Sequence, residues 1–160
     1  MSAPDHQSGT SPSATLATLR RLLIGILLFG FGGTAAELLL IGHDEDVWQL
    51  IPLGALFLAI VPALAVALSR AVVFGRAVRL FRVGMVTLIL AGGMGSVLHY
   101  RAGVEFKKEM DPSMSGFALF SSVIRAKAPP ALAPGTLALL GLIGLASTFR
   151  LGVPAPSKEP

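Results

Sequence analysis

The chain has 160 residues, 53% of them hydrophobic and only 14% charged, and its mean hydropathy is +0.73. Soluble domains of this size carry about 25% charged residues, so the shortfall excludes an ordinary water-facing surface and points to lipid. No cysteine is present, which excludes disulfides, thiolate metal sites, cysteine-ligated iron–sulfur clusters and thiol catalysis.

Residues 1–19 are rich in Ser, Thr, Pro and Gly without an apolar period and read as a disordered tail. Arg20 and Arg21 follow, then a run over 22–42 with no basic group, long enough to cross a hydrocarbon core of about 30 Å. A signal peptide competes for this run, with a cleavage site at Thr34-Ala35-Ala36. The apolar sequence continues past that site to Ile41, which favours an uncleaved helix. A second span is expected over 47–68, carrying Pro52 and Pro62. A third is expected over 79–100, where arginines and Tyr100 flank a shorter apolar stretch at 83–98. The fourth, 131–149, follows the helix-stopping APP at 128–130. The 18 Gly and 11 Pro fit membrane helices better than a soluble bundle.

Counting Lys and Arg orients the four spans. With the N-terminus inside, the inner segments hold Arg20, Arg21, Arg70, Arg76, Arg79, Arg82, Arg150 and Lys158; the outer ones hold Arg101, Lys107, Lys108, Arg125 and Lys127. The first outer loop, HDED at 43–46, has no basic residue, and the inner segment 69–82 has four arginines and no acid. The positive-inside rule therefore puts both termini, including a short tail at 151–160, in the cytoplasm. Trp48 and Tyr100 then fall at the outer interface as amphipathic anchors. The net charge of +4 is accounted for by this pattern, and nucleic acid is not expected as a partner.

Arg76, Arg79 and Arg82 lie three residues apart, on one side of a helix, where they fix orientation and can contact anionic headgroups. The outer loop 101–130 is the largest extramembrane piece. Asp111 is expected to cap a short amphipathic helix with Pro112 at its first position, and Phe117, Phe120 and Ile124 follow at helical spacing. Such a helix lies on the membrane surface or folds over the bundle's mouth.

Glu37 is the one acidic residue inside the first span. It sits five residues before Gly42, about 7.5 Å from the outer edge by helical rise. An ionisable residue in a membrane helix is a functional hypothesis with a partner to be named. His99 and Arg101, emerging at the same face in HYR, are the expected partners, and a tie between the first and third helices is favoured over a ligand or proton site. His43 joins this candidate set.

Asp44, Glu45, Asp46, Glu105 and Glu109 complete an acidic outer rim. Two imidazoles among carboxylates could hold a divalent metal. Glu37 to His43 and His99 to Glu105 are, however, each six residues apart, about 120° off one helical face, so neither pair chelates from one helix. Glu105 and Glu109 do share a face, with Arg101 one turn earlier as an ordinary ion partner. A solvated rim is the favoured reading. Haem between His43 and His99 is set further back, because both lie at helix ends where a haem would be poorly covered. No cofactor is predicted.

Gly32/Ala36, Ala91/Gly95 and Gly92/Ser96 are pairs of small residues that allow helices to approach closely. No phosphate loop, HExxH, GxSxG or dinucleotide fingerprint occurs, and Ser121, Ser122 and Thr136 have no neighbouring His or Asp pattern.

Three segments, GTAAELLLIGHDEDVWQLIPL (33–53), HYRAGVEF (99–106) and PPALAPGTLALLGLIGL (129–145), together resemble an uncharacterised group of small bacterial four-helix integral membrane proteins. The resemblance covers most of 20–149 and implies the four-helix architecture without an activity. The small multidrug transporters are similar in helix number and in a carboxylate on the first helix. They are shorter, lack the long outer loop and hold their carboxylate at mid-membrane.

The expected fold is thus all-α: an integral membrane bundle of four transmembrane helices over 20–150, N-in and C-in, of a bacterial cytoplasmic membrane. The expected function is a non-enzymatic accessory or partner-binding subunit, contacting lipid and a membrane-protein partner or further copies of itself. The alternative is a small transporter or ion- or metal-handling protein using Glu37 and the outer histidines.

Overall fold

The computed structural model describes residues 12–43, 45–68, 74–126, 134–149 and 151. The outer parts of both expected tails, Asp44, the link at 69–73 and the expected opening of the fourth span at 131–133 lie outside the described residues. The described residues form five helices and no strand: α1 (Pro12–Leu40), α2 (Val47–Leu68), α3 (Phe74–Met110), α4 (Gly116–Ile124) and α5 (Gly135–Ser147).

Helix α1 starts well before the arginines, so residues 12–19 are helical rather than tail-like. Pro12 suits a first helical position because the N–H it lacks would have no partner there. Extending an existing helix through Ala14, Leu16, Ala17 and Leu19 costs little. Helix α3 likewise runs ten residues past Tyr100, to Met110. At 37 residues it measures about 56 Å, far more than a hydrocarbon core needs. Helices α1, α2 and α3 are each long and apolar enough to cross a membrane. Helix α5 is shorter, with 13 residues, or about 20 Å.

Helix α3 packs against α2, α5 and α4, while α1 packs against α2 and α5. The first and third helices are therefore the diagonal pair of the bundle. The core between them is apolar: Leu27 and Phe31 from α1, Leu56, Ala59 and Ala63 from α2, Phe81, Met85 and Leu88 from α3, and Leu137 and Leu140 from α5. Large apolar side chains also cover the outside. Phe29 is 84% exposed and Leu40 87% exposed on α1, and exposed Leu, Val, Ile and Phe continue along α2 and α3. Water-soluble monomers do not leave apolar surface of this extent uncovered; this is the exterior of a membrane-embedded protein.

Backbones come closest where α3 meets its two neighbours. Pro62, inside α2, has no N–H to donate to the Leu58 carbonyl one turn earlier. That carbonyl faces Gly84 of α3, where an added Cβ would lie 2.7 Å from it. On the α5 side, a Cβ at Gly92 would lie 2.6 Å from the Ala138 nitrogen and 2.7 Å from the Pro134 carbonyl oxygen. The Gly92/Ser96 pair therefore does serve packing, with the Ser96 hydroxyl donating to the Gly92 carbonyl at 2.9 Å. Gly32 and Ala36 behave differently. Both are exposed, and nothing lies within 4 Å of a Cβ built at Gly32, so this pair faces outward from the bundle.

Candidate functional site

At one end of the bundle the two histidines outside the N-terminal tail come together. Helix α1 closes with a Schellman turn: Gly42 takes φ +68°, its N–H donates to the Leu39 carbonyl at 3.1 Å, and the His43 N–H donates to Leu38 at 2.8 Å. Only glycine adopts this backbone without steric cost. The turn directs His43 across the bundle's end, where its ring centroid lies 6.4 Å from that of His99 on α3, tilted by 39°. The Nδ1 atom of His99 is withdrawn from solvent. His43 and His99, both in the expected candidate set, are thus in ring contact. Glu37 is exposed on α1, Arg101 is exposed on α3, and no ion pair joins them among the described residues.

The acidic rim divides by role. Asp46 is the N-cap of α2: its carboxylate accepts from the Trp48 N–H at 3.3 Å, and its carbonyl accepts from Gln49 and Leu50. The Gln49 side-chain oxygen accepts from the Glu45 N–H at 3.0 Å, closing the turn from the other side. A carboxylate here also complements the positive end of the helix dipole. Glu105 and Glu109 are exposed on the extension of α3, Asp44 lies outside the described residues, and Trp48 is exposed at the start of α2. Among the described residues no group of three His, Cys, Asp or Glu side chains is arranged to hold a metal. The histidine pair alone offers two nitrogen donors, half of what a tetrahedral zinc site needs.

Beyond His99, α3 and α4 form a second layer. Asp111 does not cap α4. Its carboxylate accepts from the Ser113 N–H at 3.0 Å and from the Ser113 hydroxyl at 2.6 Å, forming a turn that leads the chain off α3. These bonds hold the Asp111 carboxyl below its usual pKa. Five residues, 111–115, separate the two helices; Ser115 is the N-cap, and Gly116 opens α4 with φ +56°. Asp46 makes the same two-residue bond at the start of α2; after Asp111 the chain turns instead of entering a helix, and Ser115 takes the N-cap position. Leu119 and Val123 then bury their side chains against Tyr100 and Val104, with Met114 and Ile124 alongside. A Cβ at Gly103 would lie 2.8 Å from Val123 Cγ1, so glycine permits this approach. Tyr100, Phe120 and Phe117 follow one another as tilted rings, 6.0 and 6.2 Å apart.

The opposite end of the bundle is built on arginine. Arg82 of α3 donates from Nε to the Thr148 hydroxyl at 3.3 Å and from Nη2 to the carbonyls of Thr148 at 2.6 Å and Leu151 at 2.9 Å. Arg20 of α1 donates to the Phe149 carbonyl at 2.8 Å. Arg82, expected at lipid headgroups with Arg76 and Arg79, is therefore committed to the end of α5; the other two remain exposed. No family model, curated protein or solved structure matches this chain. Ser147 and Thr148 are the fully buried polar residues of the described bundle, and both hydroxyls donate to carbonyls one turn back in α5. The remaining buried side chains of the bundle are apolar.

Proposed function

We propose that the protein is a non-enzymatic accessory or partner-binding subunit of a bacterial cytoplasmic membrane. In this reading α1, α2, α3 and α5 all cross the bilayer and both termini face the cytoplasm. Two observations support the orientation. Arg20, eight residues into α1, bonds the Phe149 carbonyl just past α5, so the N-terminal part of α1 and the end of α5 lie at the same end of the bundle. That end also carries Arg76, Arg79 and Arg82, as the positive-inside rule asks of a cytoplasmic face.

The filled interior carries the functional reading. Leu27, Phe31, Leu56, Phe81, Met85 and Leu88 are almost completely buried between the helices, so apolar side chains fill the described interior. What the protein offers instead is outside it. The α3 extension carries Phe106, 54% exposed, and Met110, 69% exposed, among charged neighbours. An apolar patch inside a polar rim is the usual anatomy of a docking surface. Replacing both residues with Ser is expected to release a co-purifying chain in mild detergent while membrane insertion is unchanged. An unaltered set of co-purifying chains, or a wild-type protein that purifies alone, would remove this reading.

The histidine contact favours one alternative, an ion- or metal-handling protein using His43, His99 and Glu37. It requires stoichiometric metal in the purified protein that is lost in His43→Ala and His99→Ala. A metal-free wild type eliminates the metal form of that alternative.

A further inference from the structure

Helix α4 has more apolar surface than α3 covers. Leu119 and Val123 are buried against α3, yet Phe117 is 82% exposed and Phe120 about half exposed. At 100° per residue, Phe117, Phe120 and Ile124 fall within a fan of about 60°, beside the buried face. Ser121 and Ser122 occupy the other side.

The level of this fan along the bundle is set by its contacts. Val97, Tyr100 and Val104 are spaced three and four apart on one face of α3, and α4 sits on that face through Tyr100, Gly103 and Val104. The continuous apolar part of α3 ends here: Val97 and Leu98 are exposed, and after them His99, Arg101, Glu105, Lys107 and Lys108 interrupt the apolar sequence. The row Tyr100, Phe120, Phe117 therefore continues the apolar exterior of α3 onto α4. Arg101 on α3 and Arg125 at the C-cap of α4 are both exposed.

We propose that α4 lies in the membrane–water interface, with Phe117 and Phe120 set into the boundary between phospholipid headgroups and acyl chains. Aromatic rings favour this layer, and an in-plane helix gains from burying an apolar face there while nearby arginines meet anionic headgroups. The continuity of the row with the apolar exterior of α3 selects lipid over a second copy of the chain or a soluble partner. The proposal rests on the reading of α3 as a membrane span. It leaves the α3 extension beyond Val104, with Phe106 and Met110, as the part that projects from the membrane.

Trp48 is the one tryptophan in the chain, so fluorescence can test this position by position. In a Trp48→Phe background, Phe117→Trp reports on α4 and Leu90→Trp reports on the exposed mid-length surface of α3. Both variants are reconstituted in vesicles of phosphatidylcholine and phosphatidylglycerol. The phosphatidylcholine is brominated either close to the headgroup or deep in the acyl chain, and iodide is used as the aqueous quencher. The expected result is that shallow bromine quenches Phe117→Trp more than deep bromine or iodide does, while deep bromine dominates for Leu90→Trp. Iodide quenching of Phe117→Trp without bromine quenching would place α4 in water. Protection from both quenchers would mean that protein covers it. Either result overturns the proposal while leaving the span reading intact, provided Leu90→Trp is still quenched by bromine. Loss of bromine quenching at Leu90→Trp would overturn the span reading itself.

Discussion

Arg82 holds Thr148 through two of its atoms, donating to the hydroxyl from Nε and to the carbonyl from Nη2 across 66 residues of sequence. A helix leaves its last carbonyls without partners, and in a bilayer water cannot reach them. Helix α5, with 13 residues, ends beside α3 and α1. The hydroxyls of Ser147 and Thr148 and the turn N–H groups bond the carbonyls of 144–146, and guanidinium groups from α3 and α1 bond those of Thr148, Phe149 and Leu151 just past the helix end.

Arg82→Ala is therefore expected to destabilise the bundle by about 2–3 kcal/mol, the loss of part-buried charged hydrogen bonds. Arg82→Lys should recover less than half of this, because an ammonium cannot reproduce the planar fork. Arg20→Ala, at the exposed end of the same arrangement, should cost about 1 kcal/mol or less. Unfolding titrations in mixed detergent micelles rank the three variants. Equal effects for Arg82→Lys and wild type would show that charge alone matters.

The glycines of α3 supply a second test. At Gly84 and Gly92 an added methyl meets backbone atoms, the Leu58 carbonyl and the Ala138 nitrogen, which cannot rotate away. Gly84→Ala and Gly92→Ala should each cost about 1–3 kcal/mol as overpacking. Gly93, exposed and with nothing within 4 Å of its Cβ position, should gain up to about 1 kcal/mol on conversion to Ala, from helix propensity. Thermal unfolding in detergent compares them directly, and a stabilising Gly92→Ala would contradict the packing described.

What the sequence made legible follows from range. An apolar run of about 20 residues is a local signal, so helices α1, α2 and α3 stand out. Helix α5 falls inside the run expected over 131–149. The spacing of Phe117, Phe120 and Ile124 likewise announced α4. The overshoot of α3 to Met110 was hidden because charged residues at i,i+4 spacing read equally as a polar loop or a solvated helix. Partner choice was the least visible. Arg82 differs from Arg76 and Arg79 only because the end of α5 arrives beside it, and Gly84 matters only because Pro62 places the Leu58 carbonyl opposite. The Schellman turn at Gly42 could have been found, since glycine just past the last apolar position is its mark. It would have pointed to His43, ahead of Glu37, as the group aimed across the bundle.

Asp111 predicts a pH dependence outside the spans. The Ser113 hydroxyl and N–H, in that order, lower its pKa below the ordinary aspartate value of 3.8. A depressed folded-state pKa means the turn's contribution is present above the unfolded value and is lost as pH falls through the folded one. The Ser113 amide resonance should accordingly titrate with a midpoint below 3.8, and Asp111→Asn should abolish the transition. A midpoint at or above that value would show that the carboxylate does not hold this turn in solution.

Glu37 tests how much a carboxylate in an apolar helix matters to the bundle itself. It is exposed, and no ion pair ties it to Arg101 among the described residues. Because α1 and α3 are diagonal, a side chain at its level would have to reach across the bundle to meet α3. Removing its charge forfeits no described side-chain contact and relieves any cost of holding an ionised group near lipid. Glu37→Gln should therefore leave unfolding stability within about 0.5 kcal/mol of wild type, or raise it. His99→Ala, which removes the ring contact with His43, should cost about 0.5–1.5 kcal/mol. If the order is reversed, with Glu37→Gln the damaging change, then the carboxylate rather than the imidazole pair joins this end of the bundle. Its partner would then have to be sought beyond the described residues or on another protein.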